Sequence, residues 1–173
     1  MNLSDFILDN IDRMQRALLE ALNSLTYEEL TWRPEEEANP IGFILWHQVR
    51  CEDTYIQSLI QGHPQVWVSE KWYQKLNRSD NPWDNGNDYT AEQVTNFPVP
   101  ELKDLLGYAE AVRERTVVYL KGITPDKFDE EIQQAELFGG MNVGMLFSYM
   151  LCELTQHIGQ IAYLRGLQRG LDK

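Results

Sequence analysis

Long hydrophobic runs are missing from this sequence: its apolar stretches are short and interrupted, which excludes an evident membrane-spanning helix. Positive charge is scarce too. With 15 Lys and Arg against 27 Asp and Glu the net charge is -12, and a surface of that sign repels phosphates, so no nucleic-acid or anionic-membrane partner is expected. Cysteine is limited to Cys51 and Cys152, which form no CxxC. That points to neither a disulfide framework nor a thiolate zinc site. Internal repeats and low-complexity tracts are absent, and no positively charged segment followed by an apolar stretch opens the chain, so a soluble cytoplasmic protein is expected.

What is present is ample core material. A chain of 173 residues, 43% of them hydrophobic, is read as a single domain spanning 1-173. Ile7, Ile11, Met14, Leu18, Leu22 and Leu25 recur at three- and four-residue steps, which predicts a first long helix over Leu3 to Leu25 with Ser4 as a cap. Thr26 and Glu29 have capping-box spacing for a short extra turn. Asn39-Pro40 starts a second long helix, expected as cap and first helical residue, and Gly62 closes it near Gln61. Residues 62 to 99 hold no period; Trp67, Trp72 and Trp83 lie among Asn, Asp, Gly and Pro, and a connection this long covers something in a small domain. Thr90 and Gln93 offer another capping box, and Leu102, Leu105, Leu106, Ala109, Val112, Thr116 and Leu120 give a third long helix its stripe. The reading is all-α: a four-helix bundle with a long connection between the second and third helices.

The fourth helix, Val143 to Arg169, carries the main functional clue. Val143, Leu146, Phe147, Met150, Leu154, Ile158, Ile161 and Leu164 share one apolar face, and Glu153 and His157 sit inside it, one turn apart. A carboxylate in such surroundings needs a partner, a proton or a metal. His47, in the second-helix word LWHQVRCED, lies at the margin of an apolar face beside Phe43, Ile44 and Cys51. If these helices pack together, His47, Glu153 and His157 converge as two imidazoles and a carboxylate, a set that holds a metal and leaves positions open. Each piece also has a plainer reading. His47 can be a hydrogen-bonded core residue, and Cys51 a small buried hydrophobe rather than a fourth soft ligand or a redox-sensitive thiol. Gln160 can orient a ligand or stand exposed; His63 reads as a loop residue. Trp46, Trp67, Trp72 and Trp83 either seal the bundle end or line a pocket for an apolar or thiol-bearing ligand. Arg165 and Arg169 are expected to complement the dipole at the end of the last helix.

Two words, NPIGFILWHQVRCEDTYIQSLIQG and LCELTQHIGQIAYLRGLQRG, resemble the DinB-like superfamily, and the resemblance runs over nearly the whole chain. It implies an up-down-down-up bundle, a homodimer, and one divalent metal, zinc or nickel, on a histidine of helix two and an HxxxH pair of helix four. His47 matches the first position and His157 the last, within His157-Ile158-Gly159-Gln160; Glu153 stands where the other histidine belongs. A two-histidine, one-carboxylate set also admits iron. The resemblance further implies a metal-dependent enzyme acting on a small-molecule substrate, as a thiol-dependent S-transferase that uses a low-molecular-weight thiol against small electrophilic molecules. The alternative is a non-catalytic dimeric bundle, with a binding or stress-related role and a degenerate metal site.

Overall fold

The computed structural model describes residues 1–133 and 135–170. It is all-α: α1 (Leu3–Ala21), α2 (Tyr27–Thr31), α3 (Ile41–Asp53), α4 (Val66–Ser69), α5 (Trp72–Lys75), α6 (Ala91–Thr95), α7 (Leu102–Gly122) and α8 (Val143–Arg169), with 3₁₀ turns between α7 and α8. Among the described residues there is no strand, only an isolated bridge between Glu131 and Asn142. No described helix is long and apolar enough to cross a membrane. The four long helices pack in a ring, α1 on α8, α8 on α3, α3 on α7 and α7 on α1. Every apolar residue expected on the inner face of α8, from Val143 to Leu164, is buried.

Three helix ends differ from the sequence-based expectation. Asn2, not Ser4, caps α1, its side chain accepting from the Asp5 amide at 2.8 Å. At its other end α1 stops at Ala21 instead of reaching Leu25, because Ser24 takes a left-handed φ of 53°. The carbonyls freed there are bound by the last turn of α8: Arg165 donates to the Ala21 carbonyl at 2.9 Å, and Arg169 to those of Asn23 and Ser24 at 3.1 and 2.6 Å. These two arginines therefore clamp the α1–α2 turn, a more specific task than complementing a helix dipole. The second long helix is also not one regular helix. Pro40 is its extended N-cap, without a side-chain cap, and after Asp53 the chain widens into a π-helix over Thr54–Ile60. At the junction the Thr54 hydroxyl donates to the Arg50 carbonyl at 2.9 Å, a local competitor for the backbone ladder.

Glu29 ties the clamp together. Its carboxylate accepts from the Thr26 amide in the capping box and faces Arg165 at 3.1 Å and Arg169 at 3.3 Å. The Thr26 hydrogen bond and then the two guanidiniums hold its pKa down to about 2, from an ordinary 4.5. A depressed carboxyl pKa stabilises the native state above the unfolded-state value and loses that contribution as pH falls toward the native one. Thermal melts of the wild type and Glu29→Gln should thus differ at pH 6, with the gap closing between about pH 4.5 and about pH 2. A gap that is constant down to pH 2 contradicts the assignment.

Every residue of α3 is buried, although its sequence carries Gln48, Arg50, Glu52 and Asp53. α2, α7 and α8 cover part of it, and the long connection covers much of the rest. Arg50 spreads its donors over that connection: Nε to the Asp84 carbonyl (3.2 Å), one terminal nitrogen to Gln65 Oε1 (2.8 Å) and the Tyr108 hydroxyl (3.1 Å), the other to the carbonyls of Pro82 (2.7 Å) and Asn81 (3.4 Å). Its guanidinium also lies 4.3 Å from the Trp67 ring centre. Asp53 accepts from the Val66 and Trp67 amides at 2.9 and 2.8 Å and from Tyr108 at 2.7 Å, so it caps α4. Glu52 pairs in a fork with Arg113 at 2.8 and 2.7 Å. The Arg50 bonds to the Asn81, Pro82 and Asp84 carbonyls hold the 77–89 stretch over α3. Of the tryptophans, Trp46 and Trp67 are sealed in the core, whereas Trp83 stays exposed at the mouth of a cavity.

Candidate metal centre

α3 and its π-helical continuation present His47, Cys51 and Tyr55 at successive four-residue steps toward α8, which answers with Glu153 and His157. His47 Nε2 lies 3.7 Å from Glu153 Oε1, and His157 Nε2 lies 3.9 Å from the same oxygen. The two imidazoles meet edge to face, with ring centres 4.8 Å apart. His47, Cys51 and Glu153 each offer a ligand atom within 4.8 Å of the other two. Of the expected trio, His47 and Glu153 belong to this set, with Cys51 as its third member, and His157 stands beside it, 3.9 Å from Glu153 Oε1.

What surrounds the trio fixes the direction of its lone pairs. His47 Nδ1 is 2.6 Å from the Asn85 carbonyl, which can only accept, so this nitrogen carries the proton and Nε2 is left with its lone pair. His157 Nδ1 donates to Gln160 Oε1 at 3.0 Å, with the same result, and Gln160 thus has the orienting role. Tyr55 donates to Glu153 Oε2 at 2.7 Å and holds that oxygen, leaving Oε1 to face the two imidazoles. The separations to Oε1 exceed hydrogen-bond length. They are only a few tenths of an ångström wider than the roughly 3.3 Å between two donors of a tetrahedral ion with bonds of about 2.0–2.1 Å. These two separations are compatible with a divalent cation held through Oε1.

Charge states leave the lone pair free on His47, whereas on His157 a proton competes for it. Burial pushes the His47 pKa below the ordinary imidazole value, against the Asn85 hydrogen bond and the Glu153 charge, which keeps it neutral. Burial also works against ionisation of Glu153, but His157, Tyr55 and the His47 ring outweigh it and hold its carboxyl low. For His157 burial is outweighed in turn by Glu153 and Gln160, and its pKa rises. Burial pushes the Cys51 thiol and the Tyr55 phenol up, so neither ionises unaided near neutrality.

A cavity of about 530 Å³ adjoins the cluster and shares Tyr55 and Asn85 with it. Trp83, Phe138, Met141, Leu146 and Tyr149 supply an apolar wall, and residues 84–88 supply a polar one. Gly86 is required there: at φ +87° a Cβ would stand 2.8 Å from Phe43 and 2.9 Å from Trp46. The sequence pointed to His47, Glu153, His157, Cys51 and Gln160, but Tyr55 and Asn85 escaped it. Tyr55 could have been found as the third member of the His47, Cys51 stripe. A backbone carbonyl such as that of Asn85 leaves no trace in residue type. His63 is exposed in a loop, away from the cluster.

Residues 10–161 match a family model described as the DinB superfamily. A solved structure described as a conserved protein from Enterococcus faecalis is similar over 99% of this chain and 99% of its own, with a TM-score of 0.86 and 21% sequence identity. At that identity the likeness concerns the fold. No curated protein matches the chain.

Proposed function

The chain belongs to the DinB superfamily, and we propose that it is a divalent-metal-dependent enzyme, acting on a small electrophilic molecule with a low-molecular-weight thiol as the group transferred. His47, Glu153 and His157 would hold the ion, zinc or nickel before iron. The observation that supports this reading is the placement of two imidazole Nε2 atoms 3.7 and 3.9 Å from one Glu153 oxygen, with the other polar atoms of the three side chains engaged by Asn85, Tyr55 and Gln160. The thiol follows from the family resemblance. The cavity supports a small organic substrate.

A divalent ion held there supplies Lewis acidity toward an electron-rich atom of a ligand. The protein's own groups do the rest. Asn85 and Gln160 keep both imidazoles in the tautomer that offers Nε2, and Tyr55 keeps Glu153 from rotating away. Trp83, Leu146 and Tyr149 would orient the apolar part of the substrate and exclude water from it. Homodimerisation, implied by the family resemblance, and a cytoplasmic setting, expected from the sequence, go with this proposal.

Metal analysis of protein purified without a histidine tag tests it. The wild type should retain close to one equivalent, and His47→Ala and His157→Ala should fall to background. A chelator should lower the wild-type melting temperature and leave the variants unmoved, since an ion that binds only the native state stabilises it by mass action. Near-zero metal in all three proteins, with no chelator effect, rejects the proposal and leaves the non-catalytic bundle.

A further inference from the structure

Cys51 is the one group at this centre to which the reading above gives no task. It is buried at 1% exposure, as a small hydrophobe would be, but the surroundings of its sulfur are polar. Sγ lies 3.8 Å from His47 Nε2, 3.9 Å from His47 Nδ1 and 3.8 Å from Asn85 Nδ2, with Glu153 and Tyr55 as further polar neighbours. A cysteine conserving core volume alone would be expected to turn its sulfur toward the apolar side chains of its cluster, such as Ile11 and Leu154. Here Cys51 packs within that cluster, and its sulfur also lies beside the His47 ring, about equally far from both nitrogens, and within 4.8 Å of a Glu153 oxygen. The second cysteine, Cys152, is exposed on α8.

We infer that Cys51 is a ligand of the ion, its thiolate joining His47, Glu153 and His157 in a mixed nitrogen, oxygen and sulfur set. The inference rests on the proposed metal centre and adds the ligand that sets its preference: a thiolate favours zinc and other borderline or soft ions over magnesium, calcium or manganese. On binding, the sulfur–hydrogen bond breaks, the electron pair goes to the metal and the proton leaves to solvent; no oxidant or reductant is involved.

Titration of the metal-free full-length protein with cobalt(II) tests this, because a thiolate on cobalt(II) gives a near-ultraviolet charge-transfer band that nitrogen and oxygen ligands do not. The wild type and Cys152→Ser should both develop the band at one equivalent. Cys51→Ser should bind cobalt without it, showing only the weaker visible absorption. X-ray absorption at the zinc edge of the wild type needs no variant and should show one sulfur at about 2.3 Å. Cobalt binding to the wild type without the band, or a zinc shell of nitrogen and oxygen alone, overturns the inference while the metal centre stands. A band that persists in Cys51→Ser overturns it also. Absence of cobalt binding in every protein removes both readings.

Discussion

Replacing Arg50 with alanine should lower the melting temperature by on the order of 10 °C. Removing one partner of a buried charge pair costs about 3–5 kcal/mol, and each kcal/mol is worth roughly 2–4 °C in a chain of this size. Arg50 and Asp53 are both fully buried, 3.8 Å apart. Without the guanidinium, Asp53 would keep its amide and Tyr108 hydrogen bonds but lose its countercharge, and the carbonyls of Asn81, Pro82 and Asp84 would lose their donor. The second variant separates charge from packing. Arg50→Met combined with Asp53→Asn removes both charges, and it should recover part of the loss because no unpaired ion is left in the core. A fall of less than about 3 °C for Arg50→Ala would mean that water reaches Asp53 through the 77–89 stretch and that the network is not closed. The consequence extends to the candidate metal centre, since the stretch that Arg50 holds also carries Asn85, the partner of His47.

That network marks the boundary of what the sequence discloses. α1 and α7 were legible because they face water on one side, so their apolar residues keep a helical period, and α8 through its buried stripe from Val143 to Leu164, although Met145, Tyr149, Tyr163 and Leu167 are exposed on it. α3 has no such side. Its polar residues Gln48, Arg50, Glu52 and Asp53 are buried all the same: loop carbonyls accept from Arg50, Arg113 donates to Glu52, and Tyr108 and the Val66 and Trp67 amides donate to Asp53, all from segments distant in sequence. No periodicity argument can see partners that arrive from residues 65 to 116. The same reason explains the candidate site. Glu153 and His157 stood out because they interrupt an apolar face, and His47 because it was the other helical histidine. The groups that aim them, a loop carbonyl and a tyrosine hydroxyl, carry no signature of their own. Gly86 is intermediate: its residue type allows a left-handed turn, but the reason for it, the rings of Phe43 and Trp46 beneath, exists only in three dimensions.

Glu153 is where the proposal is most exposed to test, because it replaces the middle histidine that the family resemblance implies. Compared in the metal-free state, Glu153→Gln should retain the fold, with a stability change within about 1 kcal/mol, because an amide oxygen can still accept from Tyr55 and the side-chain volume is unchanged. It should nevertheless lose metal, since a neutral amide is a poor ligand beside two neutral imidazoles and the ion's charge would be left uncompensated in a half-buried site. Tyr55→Phe isolates the orienting contribution: Glu153 remains, freed from its 2.7 Å hydrogen bond, and zinc affinity measured by chelator competition should fall about 10–100-fold. Glu153→Gln should fall further than that. Glu153→His supplies the control with a third imidazole, which should restore binding in the absence of the carboxylate's charge. If Glu153→Gln binds zinc as the wild type does, the carboxylate is a hydrogen-bond acceptor for Tyr55 and nothing more. Loss in Glu153→Gln together with recovery in Glu153→His assigns position 153 to the ion, because the two side chains share little except the capacity to coordinate.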